Sequence, residues 1–369
     1  MATEYTDDAP RALITGIGVR LAGHRGAEGL WRAAMTEGAH AAPPPPGSKT
    51  DLLGTVVDEA LADAGFPLRP ATPASGVSVL VCAQAAVGAA ALPPFLHGAD
   101  TDVLTTRAGR APVTVVSHAC ATGGFAVRLA VQRLLSGRSD VVVVAGASVP
   151  DPMEEISLDA VGVLAKGTVR PLDVRRDGIA VGRGAVALVL ERAGGAAARD
   201  VTGAVAVAAT ACLVKPGRAE SDPAAVGAVL RAVLAPTDGP RCPPVDAVCA
   251  HATGTAAGDA TELEQLALLG AELGWRDVPV FSHKGALGHL LHTSALAAVA
   301  HSAEAVRRSV VPGTPGCGTP MNQGQGVRVS TESTPAPLGR VLVNAFGFGG
   351  NYASVLLEKH VHGKEPHDG

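Results

Sequence analysis

Little in this 369-residue chain is aromatic or charged: two tryptophans, two tyrosines and six phenylalanines, with only 17% of positions Asp, Glu, Lys or Arg. The 30 basic and 34 acidic residues leave a net charge of −4, and no basic stripe carries interleaved aromatics. Nucleic-acid binding therefore has no electrostatic basis. Six cysteines (Cys82, Cys120, Cys212, Cys242, Cys249 and Cys317) lie scattered, with no CxxC pair and no histidines at metal-ligand spacing. That argues against a disulfide framework and a zinc site, and fits a reducing cytosol. No run of about 18 apolar residues occurs, so no membrane span is expected. The opening MATEYTDDAPR is acidic, unlike an export signal. The expectation is a cytoplasmic protein with neither a membrane nor a nucleic-acid partner.

What is present is apolar material, 47% of positions, enough for one large core or two fused layers. The 45 glycines and 27 prolines are spread through apolar runs and read as turn residues of a short-loop α/β fold. Two segments are irregular. Ala41 to Ser48 (AAPPPPGS) is an extended proline-rich connector, and 359–369 is a polar, frayed tail.

Three pairs of short matches recur in the same order at offsets of 165 to 167 residues. Val81 to Ala85 echoes Val248 to Ala252, Ser117 to Gly123 echoes Ser282 to Gly288, and Gly184 to Glu191 echoes Asn351 to Glu358. The chain reads as two similar halves, 1–195 and 196–358, joined near the Gly/Ala stretch Arg192 to Asp200. In the first half the pattern predicts strands at Val113–Val116 and Asp140–Ala145, flanking a helix over Ala121–Leu135 that ends at Gly137. That helix is expected to set Phe125, Leu129 and Leu135 near one side. The second half repeats this with strands at Val278–Ser282 and Arg340–Asn344 around a helix from about Gly288 to Arg307. Continuous apolar strands are buried on both faces, so the expected architecture is α/β, helices layered against two mixed sheets.

Cys120 follows a buried-type strand and begins a helix, where the positive end of the dipole stabilises a thiolate. The bland alternative is a buried cysteine acting as a small hydrophobe. His251 ends a strand-like run, and His289 lies on a turn into a helix, five residues after Lys284. If the halves are related by a pseudo-twofold, the turn bearing Cys120 faces the one bearing Lys284 and His289. Imidazoles in such a pocket can donate to an oxyanion or enolate, with a buried lysine holding them in place. Without the repeat, both histidines read equally well as satisfied core residues. Asn344 to Gly350 (NAFGFGG) runs a strand into a glycine-rich turn whose N–H groups can complete an oxyanion hole, or form a flexible hairpin. Other motifs fail. Thr15-Gly16-Ile17-Gly18 has Leu21 where a dinucleotide fingerprint needs glycine, and Gly47-Ser48-Lys49-Thr50 lacks phosphate-loop spacing. No cofactor or metal is implied.

Five blocks in order now carry a resemblance: RALITGIGV, SHACATGG around Cys120, VRPLDVRRDGIAVGRGAVALVLE from Val169, AHATGTAAGDATELE from Ala250, and SHKGALGH followed by NAFGFGG. The chain resembles the β-ketoacyl-[acyl carrier protein] synthases, the Cys-His-His condensing enzymes of the thiolase superfamily, over nearly its whole length. The resemblance implies a thiolase-like fold of two pseudo-twofold halves with mixed five-stranded sheets. It makes Cys120 the acyl-accepting nucleophile and His251 and His289 the pair that supports malonyl decarboxylation, with Lys284 organising them. Thr253 and Thr255 match threonines that bind the phosphopantetheine arm. Phe348 matches the aromatic gate, whose N–H joins that of Cys120 in the oxyanion hole. Degradative thiolases carry a second cysteine in the glycine turn, and acyl-CoA condensing enzymes pair His with Asn; this chain does neither, which favours carrier-protein substrates.

There are also departures. Members of the family usually exceed 400 residues, whereas only 37 lie between Cys82 and Cys120, and Pro43 to Pro46 replaces a longer excursion. Those parts normally roof the acyl pocket and build the dimer interface. Ala252, Arg183, Asn351-Tyr352 and His292-Thr293 stand where the family prefers glycine, an acid, Thr-Asn and small residues. The expected function is acyl transfer to Cys120 and decarboxylative condensation with malonyl-carrier protein in a polyketide or fatty-acid-like pathway. Two alternatives remain: an acyltransferase passing the acyl group to an O or N nucleophile, and a non-catalytic partner like a chain-length factor. The expected partners are an acyl carrier protein and a second ketosynthase-like subunit, in a homodimer or heterodimer. Carrier-protein contact falls to Arg170, Arg175 and Arg176, unless these are merely solvated or paired with Asp173 and Asp177.

Overall fold

The computed structural model describes residues 12–66, 76–84, 98–107, 111–150, 152–197, 201–216, 222–234, 244–322 and 324–360. Most of the tail, 361–369, lies outside them, as does Cys242. Ten strands carry the architecture. The first half supplies β1 (Ala12–Leu21), β2 (Val77–Cys82), β3 (Val113–Val116), β4 (Val141–Ser148) and β5 (Gly184–Arg192). The second supplies β6 (Val205–Val214), β7 (Ala247–Cys249), β8 (Val278–Phe281), β9 (Arg340–Gly347) and β10 (Asn351–Lys359).

Spatial order is 1-5-4-2-3 in the first half and 6-10-9-7-8 in the second, the same path shifted by five strands. Directions repeat too. β2 runs parallel to β3 and β4, as β7 does to β8 and β9. β5 is antiparallel to β1 and β4, as β10 is to β6 and β9. The two five-stranded units are hydrogen-bonded edge to edge, because β1 pairs with β6 over Ala12, Leu13 and Ile14. The sequence suggested two sheets but not this seam. A short strand, Val327–Val329, extends the second unit beside β8.

Strand burial on both faces follows from helices on both sides. In β4, Val142 and Val144 join the central core, while Val141, Val143 and Ala145 face the core formed with α1 (Lys49–Asp63). In β9, Val341 and Val343 point to the central core, and Leu342 and Phe346 to the core of the second half. The central layer consists of α2 (Thr122–Leu135) and a later helix that pack on each other and on strands of both halves. Between them in sequence come α3 (Pro152–Ala160), α4 (Pro223–Leu234) and α5 (Ala256–Leu273), with α4 and α5 covering the second half. The later central helix is α6 (Ser294–Arg308), which is buried along nearly its whole length.

Local chemistry explains the failed motifs. Ser48 caps α1 in a reciprocal box with Asp51, so GSKT starts a helix and cradles no phosphate. A methyl on Gly16 or Gly18 would overlap the backbone of α1 at Ala60 and Val56, so these glycines serve strand-to-helix packing. Two expectations need correcting. On α2 the buried face is Gly123, Ala126, Val127, Ala130 and Leu134, with Gly123 admitting Ala295 and Leu296 of α6, whereas Leu135 is exposed. The helix expected from Gly288 begins only at Ser294, after a short helix, Lys284–Leu287, that stops at Gly288 with φ +67°. His289 therefore sits in irregular chain, pinned by its N–H to Ala180 O (2.7 Å) and by Gly182 N–H to its carbonyl (2.9 Å).

Candidate active site

After β3 the chain turns sharply through Ser117–Ala121 into α2. Ala119 takes φ +48°, and the turn is closed by Ala121 N–H to His118 O and Thr122 N–H to Ala119 O, both 3.1 Å. The Thr122 hydroxyl fastens it further, accepting from His118 N–H (2.8 Å) and donating to Ala119 O (2.6 Å). Cys120 is thereby held, partly exposed, at the positive end of a 14-residue helix. The end of β9 passes close by. A methyl on Gly347 would lie 2.9 Å from Cys120 N and 3.0 Å from Ala121 N, so only glycine permits the approach.

The second half answers with three groups. His251, just beyond β7, has its N–H bound to Glu262 Oε1 (2.9 Å), and Ala252 N–H binds Oε2 (2.8 Å). Lys284 Nζ donates to the His251 carbonyl at 2.5 Å. His289 Nδ1 accepts from Leu291 N–H at 2.9 Å, which fixes its neutral tautomer and leaves Nε2 as the donor. The rings of His251 and His289 stand edge to face with centroids 5.7 Å apart. Burial, aided by the Lys284 ammonium, holds His251 well below the usual histidine range and pushes His289 down to about 3. Both imidazoles are neutral near pH 7. Burial likewise lowers Lys284 from its ordinary value.

Cys120, His251, His289, Thr253, Thr255 and Phe348 line one cavity with apolar walls that include Ile179 and Phe346. It holds only about 20 Å3, room for a single water. A second cavity of about 220 Å3 shares Cys120, Leu158, Leu291 and Phe348 with it and extends to Gln84, Glu154 and Val161. Thr253 and Thr255 face each other, hydroxyls 3.2 Å apart. The arginines divide. Arg170 and Arg175 line a polar groove of about 560 Å3, where Arg175 pairs with Asp173 (3.2 Å). Arg176 is committed to the carbonyls of Asp173 and Ala256. Asp177 instead accepts from the Lys166 N–H.

Sequence reasoning missed the support beneath this pocket. Glu262 is buried and also accepts from Asn344 Nδ2 (2.9 Å), whose Oδ1 takes the Ser354 hydroxyl (2.8 Å). Asp259, equally buried, accepts from Leu172 N–H (2.8 Å) and Gly254 N–H (3.1 Å) and so shapes the Thr253–Thr255 loop. Burial pushes Asp259 up to about 6, and raises Glu262 as well. The available signal was periodicity: Asp259, Glu262, Leu263 and Leu266 share the buried face of α5, an unusual place for acids. Among the described residues no group of His, Cys, Asp or Glu is set to hold a metal.

A cysteine on a strand-to-helix turn of one half thus faces two histidines of the other, on a doubled five-strand scaffold that has the thiolase-like fold of ketosynthases. The chain belongs to the β-ketoacyl synthase family: the family's N-terminal domain matches residues 103–196 and its C-terminal domain residues 202–317. It is 31% identical over 285 residues to a putative polyketide β-ketoacyl synthase 1 of Streptomyces cyaneus, covering 72% of this chain and 66% of that one. Its fold superposes with a TM-score of 0.82 at 20% identity on a β-ketoacyl synthase from Burkholderia phymatum, covering 95% of this chain and all of the other. A type II polyketide ketosynthase solved with its acyl-carrier protein gives 0.79 at 18% identity, covering 96% of this chain and all of the other. The fungal polyketide and hybrid synthases it also matches are far longer, and the chain spans only 9 to 16% of them.

Proposed function

We propose that the protein accepts an acyl group on Cys120 and condenses it with a malonyl unit presented on a carrier protein. The observation that carries this is the pocket lined by Cys120 and two neutral imidazoles, His251 and His289, with the buried Lys284 behind it on the His251 carbonyl. Cys120 sulfur attacks the incoming thioester, the bond to the pantetheine sulfur breaks, and the released thiol takes up the proton the cysteine gave up. The malonyl thioester follows. Its carboxylate leaves as CO2 inside an apolar enclosure that does not solvate the anion. The electron pair is held as an enolate whose oxygen accepts from His289 Nε2–H, with His251 beside it. That carbon attacks the acyl-Cys120 carbonyl, whose oxygen sits between the N–H groups of Cys120 and Phe348. The carbon–sulfur bond then breaks, and the Cys120 thiolate takes a proton from solvent. No resident cofactor enters these steps.

Thr253 and Thr255 suit the amides of a pantetheine arm, and Arg170 and Arg175 suit an acidic carrier protein. Arg176, held by backbone carbonyls, positions the Ala256 turn instead. A second subunit would add to β3, the edge of the first unit, where Val115 is exposed. The relatives favour a polyketide pathway. No helix among the described residues is long and apolar enough to cross a membrane.

The test is intact-protein mass after mixing with an acyl-carrier protein, with Cys120→Ala alongside, followed by malonyl-carrier protein. A gain confined to the Cys120 protein and discharged as a β-ketoacyl product is expected. A gain that malonyl-carrier protein does not discharge would instead support transfer to another nucleophile. No gain from several donors would favour a silent partner subunit.

A further inference from the structure

A cavity of about 20 Å3 beside His251 and His289 admits no acyl or malonyl group, so part of its wall must move before chemistry begins. Phe348 is one of three wall residues, with Leu158 and Leu291, common to both cavities at Cys120, and it is 41% exposed. It is followed by Gly349 and Gly350, whose φ of +79° and +81° are values glycine adopts without strain. A side-chain relay holds it in place. Asn351 Nδ2 donates to Phe348 O at 2.8 Å, and Asn351 Oδ1 lies 3.0 Å from His118 Nδ1. The amide orientation is fixed, since the Phe348 carbonyl only accepts; His118 therefore donates through Nδ1–H. His118 is itself stacked on Phe125 of α2, with centroids 3.8 Å apart and planes at 12°, and lies two residues before Cys120.

We propose that His118 is a positioning residue that latches the Phe348 turn shut through Asn351, tying access to the pocket to the geometry of the turn that carries Cys120. The proposal rests on Cys120 being the acyl-accepting residue. Opening breaks the His118–Asn351 bond and leaves the nucleophile turn intact, because that turn is closed by its own bonds to Thr122. A shift of the Cys120 turn on acylation would reach Phe348 through two hydrogen bonds.

The experiment compares the full chain with His118→Phe, which keeps the stacked ring and removes the donor, and with His118→Asn, which restores a donor at the Nδ1 position. Two readouts are taken: amide hydrogen exchange across 347–351, and the rate at which Cys120 is alkylated by a bulky acyl mimic relative to iodoacetamide. One net hydrogen bond corresponds to about a two- to tenfold change in an opening equilibrium. His118→Phe should raise exchange and the bulky-to-small ratio by that factor, and His118→Asn should recover part of it. Unchanged exchange in 347–351 overturns the latch whatever Cys120 does. Equal changes in both alkylation rates overturn it as well, since a merely loosened fold would not discriminate by size. Absence of any Cys120 alkylation in a chain whose 347–351 exchange responds would sink the acyl-acceptor reading instead.

Discussion

Replacing Glu262 with Gln changes one atom in the support of His251. Oε1 now accepts from His251 N–H and Asn344 Nδ2, and Oε2 from Ala252 N–H. Glutamine offers one oxygen. In its better orientation that oxygen keeps the two Oε1 bonds while its NH2 confronts the buried Ala252 N–H. An unsatisfied buried donor costs about 1 to 3 kcal/mol, and two bonds falling from a charged to a neutral acceptor cost about 1 kcal/mol each. Burial already raises the Glu262 pKa, so relief from hiding a charge offsets part of this. The net expectation is a loss of about 2 to 4 kcal/mol, read from urea unfolding at pH 7.5 as a lower midpoint with little change in slope. Because His251 N–H is one of the bound donors, condensation should fall more than acylation of Cys120. Coupling to Asn344→Ala in a double-mutant cycle should be at least about 0.5 kcal/mol. A midpoint unchanged within about 0.5 kcal/mol, or strict additivity, would refute the reasoning.

Gly347→Ala places a methyl against three backbone atoms of the Cys120 turn that cannot yield, so acylation followed by intact mass should slow at least about tenfold. His289→Gln keeps a donor near the Nε2 position while His289→Ala removes it. Loss of an oxyanion donor costs about 100- to 1,000-fold, so steady-state condensation should be markedly better in Gln than in Ala. Equal rates would remove His289 from the enolate. With His251 and His289 both held well below their ordinary pKa, decarboxylation under the proposed mechanism should be flat from pH 6 to 8; an inflection near 6.5 contradicts this. Stability should fall on acidification from 6.5 toward 3. His289 and His301, both lowered to about 3, bind a proton more readily once unfolded, and their contribution is lost over that window. Asp259, raised to about 6, acts in the opposite sense: its contribution is complete below about 3.8 and lost as pH rises through 6. Its shift is smaller than that of either histidine, so a thermal-melt series should still show net acid lability.

Much of this was legible because the repeat is written twice. Each of the three sequence matches falls on equivalent elements: β2 with β7, the turns after β3 and β8, and β5 with β10. Matching apolar runs and turns therefore sufficed to bring Cys120 to one cavity with His251 and His289, whereas Lys284 lies behind that cavity on the His251 carbonyl. Glu262 and Asp259 stayed hidden because acids in a DATELE run read as solvent-facing until the packing of α5 against the second-half core is known, and with them the bond from Asn344 to Glu262. The true start of α6 was missed because the hydrogen bonds that hold His289 out of helix come from Ala180 and Gly182, over a hundred residues earlier. The His118–Asn351 contact was likewise out of reach, since each partner is unremarkable in its own segment.

The doubled strand path also dictates an order of assembly on the ribosome. β1 is made before its long partner β5, which ends at Arg192, so β1 must wait until that residue has been added. The same delay recurs between β6 and β10. Contacts this distant in sequence form slowly and leave apolar edges uncovered meanwhile. The first unit can close once β5 emerges, with α2 on its inner face, but the face of α2 that receives α6 stays open until α6 follows, more than a hundred residues later. Nascent chains stalled between these points should be the ones that chaperones hold and proteases find.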